Sequence, residues 1–224
     1  MYKLLLVFIS IIFIYMSNAQ DNRIDNINPD APALAAFGSF DIGVRTIEIV
    51  IPNSTDAINT ARGGESVIYD RVLNLEVWYQ ADLKGQEPGT TYKAVTRNPD
   101  IIASLTGRAV RDAEILFANA PYPSIIISHG WPGNRYLISH TGENLASKGY
   151  IVTAIDHAES TYDDQQAITS TLYHRSLDQM VVLNALASFS EDSESFLNSM
   201  VDAENTGIIG YSMGGYGLIN NLGG

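Results

Sequence analysis

Hydrophobic positions change their rhythm partway along this 224-residue chain. In the first half they alternate with polar ones. Val44 to Ile51 does so and is closed by Pro52-Asn53, and Val72 to Tyr79 does so again. Alternation lines one face of a strand with apolar side chains, so both stretches are expected to be β-strands. The polar stretch 53–70, with Gly63-Gly64, is expected to join them as a hairpin loop, giving an antiparallel start to a mixed sheet. From Pro123 onward the alternation disappears. Ile125 to Ser128, Tyr150 to Ile155 and Gly207 to Tyr211 are short unbroken apolar runs, as expected of strands covered on both faces.

Between these runs the spacing turns helical. Tyr136 to Lys148 carries Leu137, Ile138 and Leu145 and stops at Gly149. His174 to Phe189 is a second helix, expected to turn Leu177, Met180, Val181 and Leu183 toward the sheet. Strand and helix in alternation predict an α/β fold: a mostly parallel sheet with antiparallel N-terminal strands and helices on both faces. Residues 80–120 carry a weaker pattern. Gly85 to Thr91 is turn-rich, Pro99 to Leu105 is expected to be a short helix, and Arg108 to Asn119 a surface connection. Asp156 to Thr171 reads as polar loop, and 190–206 as an acidic stretch around Phe196, Leu197 and Met200.

The N-terminus adds a separate segment. Met1-Tyr2-Lys3 precedes an apolar run from Leu4 to Met16 and the small-x-small exit Ser17-Asn18-Ala19. That order is expected to be a secretory signal, residues 1–19, with a run too short to span a bilayer comfortably; a retained N-terminal anchor is the other reading. Residues 20–40 follow as an irregular lead-in rich in Ala and Pro, and 41–224 as the domain. The expected location is secreted or periplasmic, with no stable membrane span once the signal is removed. The formal charge is −12, and losing Lys3 makes it one unit more negative, which argues against nucleic acid as a partner. With no cysteine, a disulfide framework, a thiolate nucleophile and a Cys metal site are all excluded.

Chemistry concentrates at Gly210-Tyr211-Ser212-Met213-Gly214. A G-x-S-x-G between an apolar strand and a helix is a nucleophile elbow, in which Ser212 sits on a tight turn and Gly210 and Gly214 keep the bend uncrowded. Acyl transfer also needs amide donors for the oxyanion. Those expected here are Met213, after the nucleophile, and Trp131, in the tight loop His129-Gly130-Trp131-Pro132-Gly133, whose indole would also wall the pocket. In this arrangement the acid and the base follow the serine in the chain, yet all four histidines, at 129, 140, 157 and 174, precede Ser212. His129, with Gly130 and Gly133, is therefore read as support for the oxyanion loop. Asp156 and His157, at a strand end, are read as structural. Arg175 and Asp178 share a helix face, as a local ion pair, a surface face, or a strut to the loop after Asp156-His157. His140 and His174 are read as surface or supporting groups. No histidine pair has metal-ligand spacing, so neither a metal nor a cofactor is expected.

Ile127-Ser128-His129-Gly130-Trp131-Pro132-Gly133, Gly149-Tyr150-Ile151-Val152, Asp156-His157, Arg175-Ser176-Leu177-Asp178 and Gly210-Tyr211-Ser212-Met213-Gly214-Gly215 together resemble the α/β-hydrolase superfamily. Within it the chain looks most like the secreted esterases grouped with platelet-activating-factor acetylhydrolases and predicted dienelactone hydrolases, with cutinase-like polyesterases as cousins. The resemblance implies an α/β-hydrolase fold and a serine carboxylic ester hydrolase acting on a small-molecule or lipid-like ester through an acyl-enzyme on Ser212. It also implies an Asp and a His on later strands, so 41–224 is expected to be an incomplete domain, a C-terminal part to lie beyond residue 224, and this chain alone to be inactive. Two other readings share the elbow: a serine peptidase of the prolyl-oligopeptidase type, and a non-catalytic α/β-hydrolase-like binding protein.

Overall fold

The computed structural model describes residues 22–60 and 64–223. The signal expected at 1–19 and part of the first hairpin loop, Gly63 included, lie outside the described residues. Strands β1 (Ile42–Thr55) and β2 (Ile68–Asp82) form a long antiparallel hairpin. Next come β3 (Thr91–Val95), β4 (Ile102–Thr106) and two short strands, β5 (Val110–Arg111) and β6 (Glu114–Ile115). Then β7 (Tyr122–Ser128), α1 (Ser139–Ala146), β8 (Ile151–Asp156), α2 (Ile168–Glu191), β9 (Val201–Gly210) and α3 (Met213–Asn221) follow in turn.

The main sheet runs β5-β1-β2-β8-β7-β9, with β6 paired to β2. Pairing is antiparallel from β1 through β2 to β8 and parallel from β8 through β7 to β9. Two cores explain why β2 sits centrally. Its Leu73, Leu75, Val77 and Tyr79 point to one face, where Val182 and Leu186 of α2 and Leu197 cover them. Trp78 points to the other, with Ala146 of α1 and Tyr92 and Tyr136. Each fully buried leucine contributes about 1.5–3 kcal/mol of transfer free energy. Trp78 keeps its indole N–H satisfied on the Tyr92 hydroxyl at 2.9 Å, and Gly142 of α1 leaves the space its ring fills.

Several expectations from the pattern are corrected. Pro52-Asn53 does not end β1. The register shifts between Ile51 and Ser54 and Asn53 takes φ 55°, so the proline is absorbed in a bulge, where a missing N–H is tolerated. Residues expected to form a short helix at Pro99–Leu105 instead turn at 99–100 and enter β4, which pairs residue by residue with β3. Arg108–Asn119 is no mere surface connection, because Ala109, Val110 and Ala113 are buried and β5 and β6 pair to β1 and β2. In α1 the buried residues are Ser139, Gly142, Glu143 and Ala146, while Leu137 before it is exposed. The largest correction concerns α2. Leu177 and Met180 are 49% and 40% exposed, and the inner face is instead Ser170, Thr171, His174, Arg175, Asp178, Gln179, Val182 and Leu186. The N-terminal half of that face meets backbone carbonyls and polar side chains rather than apolar ones, as the site makes plain. Gly207–Tyr211, expected to be a buried strand, is only half-buried up to Gly210, and β9 is last in the strand order among the described residues.

Candidate active site

Two loops at the ends of neighbouring parallel strands meet at Ser212. The first leaves β9. Ser212 takes φ 53°, ψ −115° and caps α3, a left-handed conformation that costs about 1–3 kcal/mol in a non-glycine residue. The surroundings hold it there. Tyr211 N–H donates to Ser128 O at 3.0 Å, Gly214 N–H to Tyr211 O at 2.9 Å and Tyr216 N–H to Ser212 O at 3.2 Å. A Cβ on Gly210 would lie 2.5 Å from the Gly214 carbonyl carbon, and one on Gly214 would lie 2.6 Å from the Ser128 carbonyl carbon. Both glycines are thus required by close approach of backbone to backbone. Ser212 itself is exposed, at the N-terminus of α3, where the helix dipole favours developing negative charge.

The second loop leaves β7 as His129–Gly133. A Cβ on Gly130 would stand 3.1 Å from Ser212 Cβ, which brings the loop against the elbow, and one on Gly133 would stand 2.6 Å from His129 Nδ1. His129 is buried. His157 N–H donates to its Nε2 at 3.2 Å, and its Nδ1 lies 2.7 Å from Gly130 O. The ring is therefore neutral with its proton on Nδ1. Burial, with His157 and Arg175 close by, holds it well below the usual imidazole range. Arg175 reaches across from α2 and donates to His129 O at 3.0 Å, Gly130 O at 3.3 Å and Ser160 Oγ at 2.5 Å. Burial pulls it down to about 10, still cationic at neutral pH. Among the described residues, neither the Trp131 nor the Met213 amide donates to a protein acceptor.

The residues read as supports separate into two groups. Asp156 accepts from Arg135 N–H at 2.5 Å and pairs with the Arg135 guanidinium. It does not contact its neighbour's network. His157 instead bonds Ser128 Oγ through Nε2 at 2.8 Å and Asp178 Oδ2 through Nδ1 at 2.8 Å. Asp178 also pairs with Arg71 at 2.9 Å. Arg175 and Asp178 share a face but bind different partners. His140 is exposed, whereas His174 is buried on the inner face of α2. Ser128, Arg71 and Gln179 belong to this site too; of these, the sequence marks only Ser128, as part of the Ile127–Gly133 motif, and gives it no role. Arg71 has the parity of Leu73 and Leu75 in β2, and Gln179 lies four residues after Arg175. Those spacings were the available signals. Among the described residues, no histidine hydrogen-bonds Ser212 Oγ, no group of three or more His, Asp or Glu side chains could hold a metal ion, and no helix is long and apolar enough to cross a membrane.

Known proteins are similar to this chain. The PET hydrolase-like family, PETase, matches residues 117–222, which holds both loops, α2 and the elbow. Cutinase est1 of Thermobifida alba is 33% identical over 101 residues, covering 45% of this chain and 30% of that protein. Cutinase cut1 of Thermobifida fusca is 30% identical over 101 residues, 28% of its length. The solved ferulic acid esterase from Streptomyces cinnamoneus superposes with a TM-score of 0.62 at 21% identity, covering 90% of this chain and 58% of that one. The chain thus spans under a third of these cutinases and little more than half of the esterase.

Proposed function

Taking as premise that the chain is a member of the α/β-hydrolase superfamily, we propose that it supplies the nucleophile and oxyanion half of a serine carboxylic ester hydrolase. Ser212 Oγ attacks the ester carbonyl carbon, the Trp131 and Met213 amides donate to the resulting oxyanion, and the alcohol departs with the serine's proton. Water then attacks the acyl-enzyme, releasing the acid and restoring Ser212. One observation carries this reading: an exposed serine held at positive φ between two loops that each present an amide without a protein acceptor. Preorganised amides of this kind are worth about 10²–10³ in rate each. Trp131 walls the side of the cleft next to its own amide.

The proton acceptor for Ser212 is not one of the histidines at 129 and 157, because both rings are buried with both nitrogens engaged. The reading therefore needs an acceptor other than these two rings, and without one the chain is proposed to be a poor hydrolase. The substrate is a small-molecule or lipid-like ester. The N-terminal pattern supports action outside the cytoplasm, as a secreted or periplasmic protein. The test is turnover of short-chain p-nitrophenyl esters by the natural full-length protein and by S212A. Turnover falling by at least about 10³-fold in S212A is the expected result, and equal rates would reject the nucleophile.

A further inference from the structure

One buried chain of hydrogen bonds has no part in the acyl-transfer steps. Arg71 donates to Asp178 Oδ2 at 2.9 Å, and the same oxygen lies 2.8 Å from His157 Nδ1. His157 Nε2 lies 2.8 Å from Ser128 Oγ. Gln179 Nε2 donates to Ser128 Oγ and to Gly214 O, both at 2.9 Å, while Asn221 Nδ2 donates to Gln179 Oε1 at 2.9 Å. The direction of every bond is dictated from the ends. Gly214 O only accepts, so the Gln179 nitrogen faces it, and Ser128 Oγ accepts the second amide hydrogen. The hydroxyl hydrogen is then left for His157 Nε2, which must be unprotonated. The imidazole proton therefore sits on Nδ1 and goes to Asp178.

Ser128, His157 and Asp178 have the bonding order of a catalytic triad, but they are 0%, 1% and 1% exposed. No ester reaches them, so they do not form a second reaction centre. Their surroundings indicate a different task. Ser128 ends β7, its carbonyl receives the Tyr211 N–H, and Gly214 packs on that same carbonyl. The main-chain N–H of His157 donates to His129 Nε2, and the two rings meet edge-on with centroids 5.0 Å apart. One residue thus touches both halves of the site. We propose that His157 is a positioning residue: its neutral ring holds the floor of the elbow through Ser128, its main-chain N–H holds the oxyanion loop through His129, and together they set the separation of Ser212 from the two amides. This rests on the esterase reading above.

Two substitutions in the natural full-length protein separate the bonds. In H157Q the side-chain amide reaches the Nε2 position and offers Ser128 an acceptor. In H157N it reaches the Nδ1 position, serves Asp178 and leaves the Ser128 hydroxyl without one. A misplacement near 1 Å costs about 10²-fold, so H157N is expected to lower kcat about 10–100-fold with KM within about threefold. H157Q should stay within about fivefold of wild type on the same reasoning. S128A removes the same link with the loss of one oxygen atom and should match H157N, which covers the case of an H157N that does not fold. Wild-type kcat in S128A, or a rise in KM alone, overturns the proposal. A second readout does not depend on turnover: loss of the link should speed hydrogen exchange at the Tyr211 amide by at least about tenfold in S128A relative to H157Q. Should S212A retain full activity, the esterase reading falls and exchange alone decides, with equal exchange in S128A and H157Q counting against positioning.

Discussion

Replacing Gly214 by alanine tests how tightly the elbow is seated. The added Cβ would lie 2.6 Å from the Ser128 carbonyl carbon and closer still to its oxygen, with His129 O at 3.0 Å. All three are backbone atoms, so no rotamer change relieves the clash. Relief requires α3 to lift from the end of β7 by roughly 1 Å, which stretches Tyr211 N–H to Ser128 O and Gln179 Nε2 to Gly214 O. Overpacking of this kind costs about 1–3 kcal/mol, and each weakened hydrogen bond adds about 0.5–1.5 kcal/mol. G214A is therefore expected to lose about 2–6 kcal/mol of unfolding free energy. The next residue is the control. A Cβ on Gly215 meets nothing nearer than Gly210 O at 3.4 Å, and within a helix Gly→Ala gains about 0.5–1 kcal/mol. Urea unfolding of both variants, followed by tryptophan fluorescence, reads the difference. G214A as stable as wild type, or G215A destabilised as much as G214A, would refute the reasoning.

The remaining expectations concern charge. Arg71 and Asp178 are each 1% exposed, so D178N strands a buried guanidinium and should cost about 3–5 kcal/mol. The R71M/D178N double variant should lose less than the sum of the two single ones in urea unfolding, and strict additivity would contradict the pair. Acidification should weaken the fold. Burial, together with nearby positive charge, holds His129 and His157 well below the usual imidazole range, so the unfolded chain binds protons that the folded one does not. Their contribution is complete above about pH 6.5 and is lost below it, by up to about 1.4 kcal/mol per pH unit for each histidine. Burial raises Asp178 and Asp156, which act in the opposite sense from the carboxylate range upward. Unfolding midpoints measured between pH 7.5 and 5.5 check this, and a midpoint that does not fall toward pH 5.5 would refute it.

The tight turn at Ser212 and the His129–Gly133 loop are legible because their requirements are local: glycines where backbone meets backbone, placed after apolar strands. The β7 and β8 strands were legible because both faces are covered and polar residues are rare in them. Helix α2 misled for a physical reason. Periodicity assumes that the inner face is apolar, so Leu177 and Met180 were turned inward. The true partners of Arg175 and Gln179 are main-chain carbonyls, and carbonyls leave no trace in a side-chain pattern. Residues 99–105 misled because proline at the start suggests a helix, whereas the pairing of β4 with β3 is set by a partner a hairpin away. Arg71 is not legible because a cation at an inward strand position breaks the apolar alternation that begins at Val72.

The inverted face of α2 has a consequence for how this chain can diverge. On most amphipathic helices the inward positions exchange one apolar residue for another with little loss of fold. Here an apolar residue at 175 would leave His129 O without a donor, an orphan that costs about 1–3 kcal/mol, and one at 179 would remove the amide that bridges Ser128 Oγ and Gly214 O. Drift is open instead on the outward side, at Leu172, Leu177 and Met180. Descendants of this chain should therefore vary most where α2 is oiliest and least where it is most polar.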